Sequence, residues 1–245
     1  MARPLHPTGS HTGAEGRALS GRALVLSPHP DDAEIGMGGT IAALVRQGWW
    51  VVICDLTDGE PTPLGSRERR LREAATAADI LGVRRITLDL PNRFLMDTVE
   101  ARKEVAAVIR AERPDLLFVP YWEDAHPDHV QAARIGEAAR FYAKLTRSDI
   151  PGEPHYPRRV VHFLSTHYRM VRRPSFLFDV SDTFEQKLRS VAAYESQFSE
   201  ARGNLWILDH LRTAAAYYGS LVGVAYAEPF VMREEVGLRR LDALL

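Results

Sequence analysis

Between residues 23 and 145, short apolar runs alternate with longer stretches of helical period, and this alternation limits the fold more than any other feature. Extended apolar runs separated by helices are typical of βαβ units, which build a parallel sheet with helices on both faces. The pattern predicts strands and helices in strict alternation at 23–27, 33–47, 50–57, 67–81, 85–90, 98–112, 116–121 and 129–145. The expected fold is therefore α/β, with a doubly wound, mostly parallel sheet in three layers.

After residue 151 the pattern changes, and it predicts a C-terminal extension of strands followed by helices. The stretch 148–159 holds three prolines and suits a connecting loop better than a linker between domains. The first residues lack the apolar core of a secretory signal, so we expect a disordered arm over 1–21 and a single domain over 22–245. The extension is predicted to contain strands at 160–165 and 176–180 and helices at 183–194 and 205–218.

The charge balance limits the partners. A formal net charge of −1, from 31 basic and 32 acidic residues, gives no electrostatic footprint for nucleic acid or for an anionic membrane. No apolar run approaches the ~18 residues that a membrane-spanning helix needs. Cys54 is the only cysteine, which excludes a disulfide framework and fits a reducing compartment. We therefore expect a cytoplasmic protein that acts on a small molecule.

Two short runs of histidine and aspartate, at 29–32 and 126–129, follow the first and fourth predicted strands. His29 lies two residues after the first strand, and His126 lies five after the fourth. In a doubly wound sheet the strand order reverses beside the first strand, so the carboxyl ends of these two strands open into one crevice. The sequence therefore predicts that both runs belong to one site.

The residue types in the two runs suit a metal. A catalytic zinc takes three nitrogen or oxygen ligands and keeps one position for water. His29 and Asp32 are spaced i, i+3, and one histidine of the second run, His126 or His129, completes the set. The other histidine can then stabilise charge. Such a set also accepts Fe²⁺, Mn²⁺ or Co²⁺.

Two carboxylates remain beside these residues. Asp31 is free to act as a base, and Asp128 is placed to orient the second imidazole and favour its charged form. A simpler alternative is that Asp31 and Asp32 are only favourable charges at the N-terminus of a helix.

A dinucleotide site is the obvious rival in this fold, because the first turn commonly holds a diphosphate through glycines. Here Gly36, Gly38 and Gly39 fall inside the predicted helix, and three carboxylates in the turn would repel phosphate. A metal-binding or nucleotide-binding regulatory module without turnover stays as the alternative from another functional class.

The motifs at 28–36, 57–60, 70–82 and 126–129, taken in this order, resemble the LmbE-like, PIG-L type deacetylases. The resemblance extends from about residue 23 to 230. It implies a Rossmann-like three-layer sandwich and a zinc-dependent amidohydrolase that removes the N-acetyl group from an amino sugar. It also implies a homo-oligomer, a trimer or a hexamer.

The resemblance further implies a role for individual residues. Three of them would be the zinc ligands: His29, Asp32 and His129. Asp31 would be the general base, and His126 with Asp128 would form a charged pair at the oxyanion. Contacts to the substrate are expected from Glu60, Arg70 and Asn92.

Within the family, residues 120–124 and 217–230 resemble the subgroup that deacetylates N-acetylglucosaminyl malate in bacillithiol biosynthesis. That substrate is the one expected here. The alternatives are a mycothiol precursor, chitobiose or an antibiotic intermediate. A malate group should need a cation, for which Arg93 and Arg202 are candidates. Asn92 and Ala125 depart from the acidic residue and the arginine that many relatives carry.

Overall fold

The computed structural model describes residues 20–168, 170, 172–199, 201 and 203–237. Within these residues the chain forms seven strands and six helices. The strands are β1 (Gly21–Ser27), β2 (Trp49–Asp55), β3 (Arg84–Thr87), β4 (Leu116–Pro120), β5 (Arg159–Phe163), β6 (Phe176–Asp179) and β7 (Ala227–Val231). The helices are α1 (Asp32–Arg46), α2 (Arg67–Leu81), α3 (Val99–Glu112), α4 (Pro127–Ala143), α5 (Phe184–Ala192) and α6 (Trp206–Ser220).

All the described strands lie in one sheet, in the order β3-β2-β1-β4-β5-β7-β6. The first five strands of this order are parallel, whereas β7 runs antiparallel to both β5 and β6. The order reverses between β1 and β4, so the crevice predicted from the sequence lies at the carboxyl ends of these two strands. The α/β class and the mostly parallel sheet are confirmed.

Helices cover both faces of the sheet because successive residues of the central strand point to opposite sides. Ala23 and Val25 pack into a core with α1, and Leu24 and Leu26 pack into a second core with α3 and α4. Cys54 is buried in the second core. None of the described helices is both long and apolar enough to cross a membrane.

The structure differs from the predictions near both ends of the described chain. Gly21 was assigned to the N-terminal arm but is the first residue of β1, and residues 1–19 of that arm lie outside the described part. The strand β7 was not predicted, because Glu228 and Pro229 argue against an internal strand. The single domain over 22–245 stays a prediction.

Helix α1 is kinked at Met37, whose φ of −150° is not helical. The kink frees the backbone N–H groups of Gly39 and Thr40, which donate to the carboxylate of Glu228 at 3.1 and 2.7 Å. Lys187 completes this buried cluster with an ion pair of 2.6 Å to Glu228. The unpredicted strand β7 thus fixes the helix that follows the first histidine–aspartate run.

Gly36 is required by packing rather than by phosphate binding. A Cβ atom at this position would lie 2.4 Å from Cδ2 of the fully buried Phe163 on β5. Because the side chain is absent, α1 approaches the sheet closely just after the first run.

Candidate functional site

The fold brings the two runs into contact. The turn after β1 carries His29, and α4 begins with His126 as its N-cap and Pro127 in its first turn, a position that suits proline. The rings of His29 and His129 are 5.5 Å apart, and those of His29 and His126 are 4.8 Å apart. The fold therefore places the two runs side by side, where the predicted topology puts them.

Three side chains converge as metal ligands would. Asp32 Oδ2 lies 3.1 Å from His29 Nδ1 and 3.2 Å from His129 Nε2. The buried Nε2 of His129 has no hydrogen-bond partner, since its approach to Asp32 lacks hydrogen-bond alignment. Two imidazole nitrogens and one carboxylate oxygen within 4.8 Å of one another form a donor set that fits a divalent metal and leaves positions open.

The electrostatics of these three residues favour a cation. Burial lowers the pKa of His129, but the carboxylates of Asp32 and Asp124 outweigh it and raise the pKa to about 10. At His29, burial is likewise outweighed by Asp128 and Asp32, so the pKa rises to about 9. Burial alone would raise the pKa of Asp32, yet both histidines hold it well below its usual range. Positive charge is therefore stabilised between these side chains.

Further polar groups, which the sequence did not predict, orient the candidate ligands. Asp124 Oδ2 lies 2.7 Å from His129 Nδ1, so this carboxylate aims the opposite nitrogen at the cluster. Ser165, just after β5, donates from Oγ to Asp32 Oδ1 at 2.9 Å. Asp124 was weakly indicated by the sequence, because this residue stands two positions before His126, and Ser165 was not indicated at all. Such partners of ligands commonly govern metal affinity.

The expected pairing of Asp128 with His126 is wrong. Asp128 Oδ2 lies 3.0 Å from His29 Nε2, and the carboxylate also accepts hydrogen bonds from the backbone N–H groups of Arg93 and Leu95. His126 Nδ1 instead accepts from the backbone N–H of Asp128, so a neutral ring carries its proton on Nε2. Burial and the charges of the two neighbouring histidines lower the pKa of His126 to about 4. The carboxylate orients His29, and His126 is a neutral donor.

Asp31 is held in a conformation that helix capping does not explain. It stands at the N-cap of α1 with a φ of 125°, a region that non-glycine residues rarely adopt, and its side chain makes no capping hydrogen bond. Its Oδ2 lies 3.4 Å from Arg70 Nη2. Burial raises the pKa of Asp31 to about 7 against the opposing effect of Arg70. Backbone strain of this kind concentrates at functional sites.

Arg70 differs from the other arginines at the start of α2. Its side chain is 2% exposed, whereas those of Arg67 and Arg69 are 54% and 41% exposed. Its guanidinium donates to the Pro30 carbonyl and lies 5.5 Å from the centre of the Tyr194 ring. Arg70 therefore fixes the turn that carries Asp31, and it is not part of a solvated helix face.

These groups open into a cavity of about 1140 Å³. Asn92 is half-buried in its wall. Glu60, expected to contact substrate, does not line the cavity, because its carboxylate accepts hydrogen bonds from the backbone N–H and Oγ1 of Thr62 at 2.7 and 2.6 Å. Asp128 lies behind His29. The predicted site residues that line the cavity are His29, Asp31, Asp32, Arg70, Asn92, His126 and His129.

Comparison with known proteins agrees with this geometry. The family model described as PIG-L, GlcNAc-PI de-N-acetylase, matches residues 24–140. Diacetylchitobiose deacetylase of Thermococcus kodakarensis is 41% identical over 225 residues, covering 84% of this chain and 81% of that protein. A probable N-acetyl-alpha-D-glucosaminyl L-malate deacetylase 2 of Bacillus cereus is 25% identical over 191 residues, covering 71% and 82%. The crystal structure of a conserved protein from Thermus thermophilus has a TM-score of 0.83 and 36% identity, covering 89% of this chain and 97% of that one. The chain therefore belongs to the PIG-L family of deacetylases, which hydrolyse amide bonds.

Proposed function

We propose that the protein is a zinc-dependent N-deacetylase that hydrolyses the acetamide of an N-acetylglucosamine unit. One observation carries the proposal: the cluster of His29, Asp32 and His129 lies beside Asp31 at the wall of a cavity of about 1140 Å³. The Asp31 backbone has a strained positive φ, and its side chain makes no capping hydrogen bond. A structural metal site is normally closed by a fourth protein ligand and needs neither a free carboxylate nor a cavity.

Asp31 and His126 have separate roles in the proposed hydrolysis. A bound zinc ion would lower the pKa of its water toward neutrality and polarise the acetyl carbonyl. Asp31, held by Arg70, accepts the proton of the attacking water and delivers it to the leaving amine. His126 donates a hydrogen bond from Nε2 to the acetyl oxygen as negative charge develops there. The products are acetate and a free amino sugar.

The group beyond the sugar is proposed to be neutral. A malate group would need cations that no carboxylate neutralises, and two of the three lysines and arginines among the described residues of the cavity wall are already paired with carboxylates. Arg70 contacts Asp31, Lys187 pairs with Glu228, and Arg93 donates to a backbone carbonyl. Arg202, the other candidate from the sequence, lies outside the described residues. These contacts, together with the 41% identity to a diacetylchitobiose deacetylase, favour an oligosaccharide over the malate conjugate.

Acetate release from three substrates tests this proposal: N,N'-diacetylchitobiose, N-acetylglucosaminyl malate and N-acetylglucosamine. Each is assayed with the purified protein, after chelation, and after chelation followed by Zn²⁺, Fe²⁺, Mn²⁺ or Co²⁺. We expect the disaccharide to give the highest kcat/KM, with activity lost on chelation and best restored by zinc. Preference for the malate conjugate would overturn the neutral-group proposal, and no acetate from any substrate would overturn the deacetylase function.

A further inference from the structure

One face of α6 forms a wall of the cavity that the proposed chemistry leaves unused. The residues of α6 on this wall recur at the spacing of a single helix face, from Trp206 through His210 and Ala214 to Tyr218. From Trp206 to Tyr218 the face extends about 18 Å at the rise of an α-helix. This length exceeds a single pyranose ring, so the wall has room for more than the sugar that is deacetylated.

This face carries aromatic side chains at its two ends and small side chains in its middle. Trp206 is 56% exposed, and its ring and that of His210 are arranged edge to face, with centroids 5.9 Å apart and planes at 70°. The small side chains of Ala214 and Ala215 separate this pair from Tyr218. A half-exposed indole in a cavity wall offers a flat apolar surface, and among the described residues no aromatic ring stacks parallel to it.

A sugar ring is a suitable occupant for such a surface. The C–H bonds on one side of a pyranose form an apolar face that packs on an aromatic ring, while its hydroxyl groups remain hydrated at an open cavity mouth. The described residues of α6 on this wall include no lysine or arginine, so the wall offers little to a dicarboxylate. The wall is continuous with the ligand cluster, because His29, His129 and Trp206 line one cavity.

We propose that Trp206 and His210 form a second sugar subsite, in which the indole stacks on the neutral pyranose next to the N-acetylglucosamine unit being deacetylated. This inference rests on the proposed deacetylase function. It makes Trp206 a residue that determines substrate length rather than one that takes part in hydrolysis.

The test compares Trp206→Ala with Trp206→Phe on diacetylchitobiose and on N-acetylglucosamine. Loss of the stacking surface should lower the ratio of kcat/KM for the disaccharide to that for the monosaccharide about tenfold, through KM rather than kcat. Trp206→Phe should recover most of the ratio, because the ring face remains. Tyr217→Ala is the matched control, since Tyr217 is 54% exposed on the same helix but does not line the cavity.

Calorimetric titration with diacetylchitobiose in an Asp31→Asn background separates the subsite from turnover. A larger dissociation constant after Trp206→Ala would support the subsite, even if the wild-type protein releases no acetate. Failure of the wild-type protein to release acetate would overturn only the deacetylase function. An unchanged kcat/KM ratio and dissociation constant would overturn the subsite. A Trp206→Ala protein of smaller assembled mass, with unchanged disaccharide binding, would also overturn it and assign the indole to a contact between copies.

Discussion

Replacing Asp124 by alanine should weaken metal binding without removing a ligand. Asp124 is 1% exposed and lies 2.7 Å from His129 Nδ1, the nitrogen opposite the one aimed at the metal cluster. The same carboxylate accepts hydrogen bonds from the backbone N–H groups of His126 and His167. The substitution therefore frees the His129 ring to rotate and loosens the loop before α4.

The size of the effect follows from the kind of contact that is lost. Removing the partner of a metal-binding histidine typically costs about 10-fold to 100-fold in metal affinity, which corresponds to roughly 1.4–2.7 kcal/mol. The dissociation constant for zinc is measured by competition with a chromogenic chelator, and kcat is measured at saturating zinc. Because Asp124 does not line the cavity, we expect the affinity to fall by the stated factor and most of kcat to remain.

Glu123→Ala is the control, because this neighbouring carboxylate is 51% exposed and contacts none of the proposed ligands. Zinc affinity of Asp124→Ala within twofold of the control would refute the role of Asp124 in orienting His129. A loss of thermal stability with unchanged affinity would refute it as well, since it would assign the carboxylate a purely structural role.

Three further predictions concern the framework around the site. Lys187→Met should leave the carboxylate of Glu228 buried without its ion pair and destabilise the protein by about 3–5 kcal/mol in urea unfolding, whereas an unchanged midpoint would contradict the buried pair. Gly36→Ala should force a side chain against Phe163 and cost about 1–3 kcal/mol in the same assay, and wild-type stability would show that α1 has room to move. Burial raises the pKa of Glu137, but hydrogen bonds from His162 on β5 and from Arg233 outweigh this effect and lower the pKa below 4.5. The stabilisation is present above pH 4.5 and is lost as the pH falls through the lowered value, so Glu137→Gln should reduce Tm more at pH 6.5 than at pH 3.5. Equal reductions at both values would contradict the shift.

The sequence was informative where function follows from topology. Alternating apolar and helical segments are sufficient to predict that the strand order reverses between β1 and β4, and this placed His29 and His129 in one crevice. The i, i+3 spacing of His29 and Asp32 then suggested two ligands in one turn. Nothing in these steps required knowledge of side-chain conformations.

The predicted partners were wrong where a side chain has several possible partners nearby. Asp128 is close to His126 in sequence, but two backbone N–H groups of the loop at 93–95 turn its carboxylate toward His29. Glu60 satisfies its carboxylate on Thr62 within its own turn. Ser165 reaches the site from the loop after β5 and lies 133 residues from its partner Asp32 in the sequence, so its contribution depends on the tertiary fold.

The central claim, that one residue of the first run binds metal while its neighbour moves protons, is tested most directly by two variants measured for zinc and for acetate release. Asp31→Asn suits the site because asparagine tolerates a positive φ better than alanine does and its amide does not act as a base. We predict that Asp31→Asn retains one zinc per chain and loses at least ~100-fold in kcat on diacetylchitobiose, whereas His29→Ala loses both zinc and activity. An Asp31→Asn protein with wild-type kcat, or a His29→Ala protein that keeps its zinc, would contradict the account.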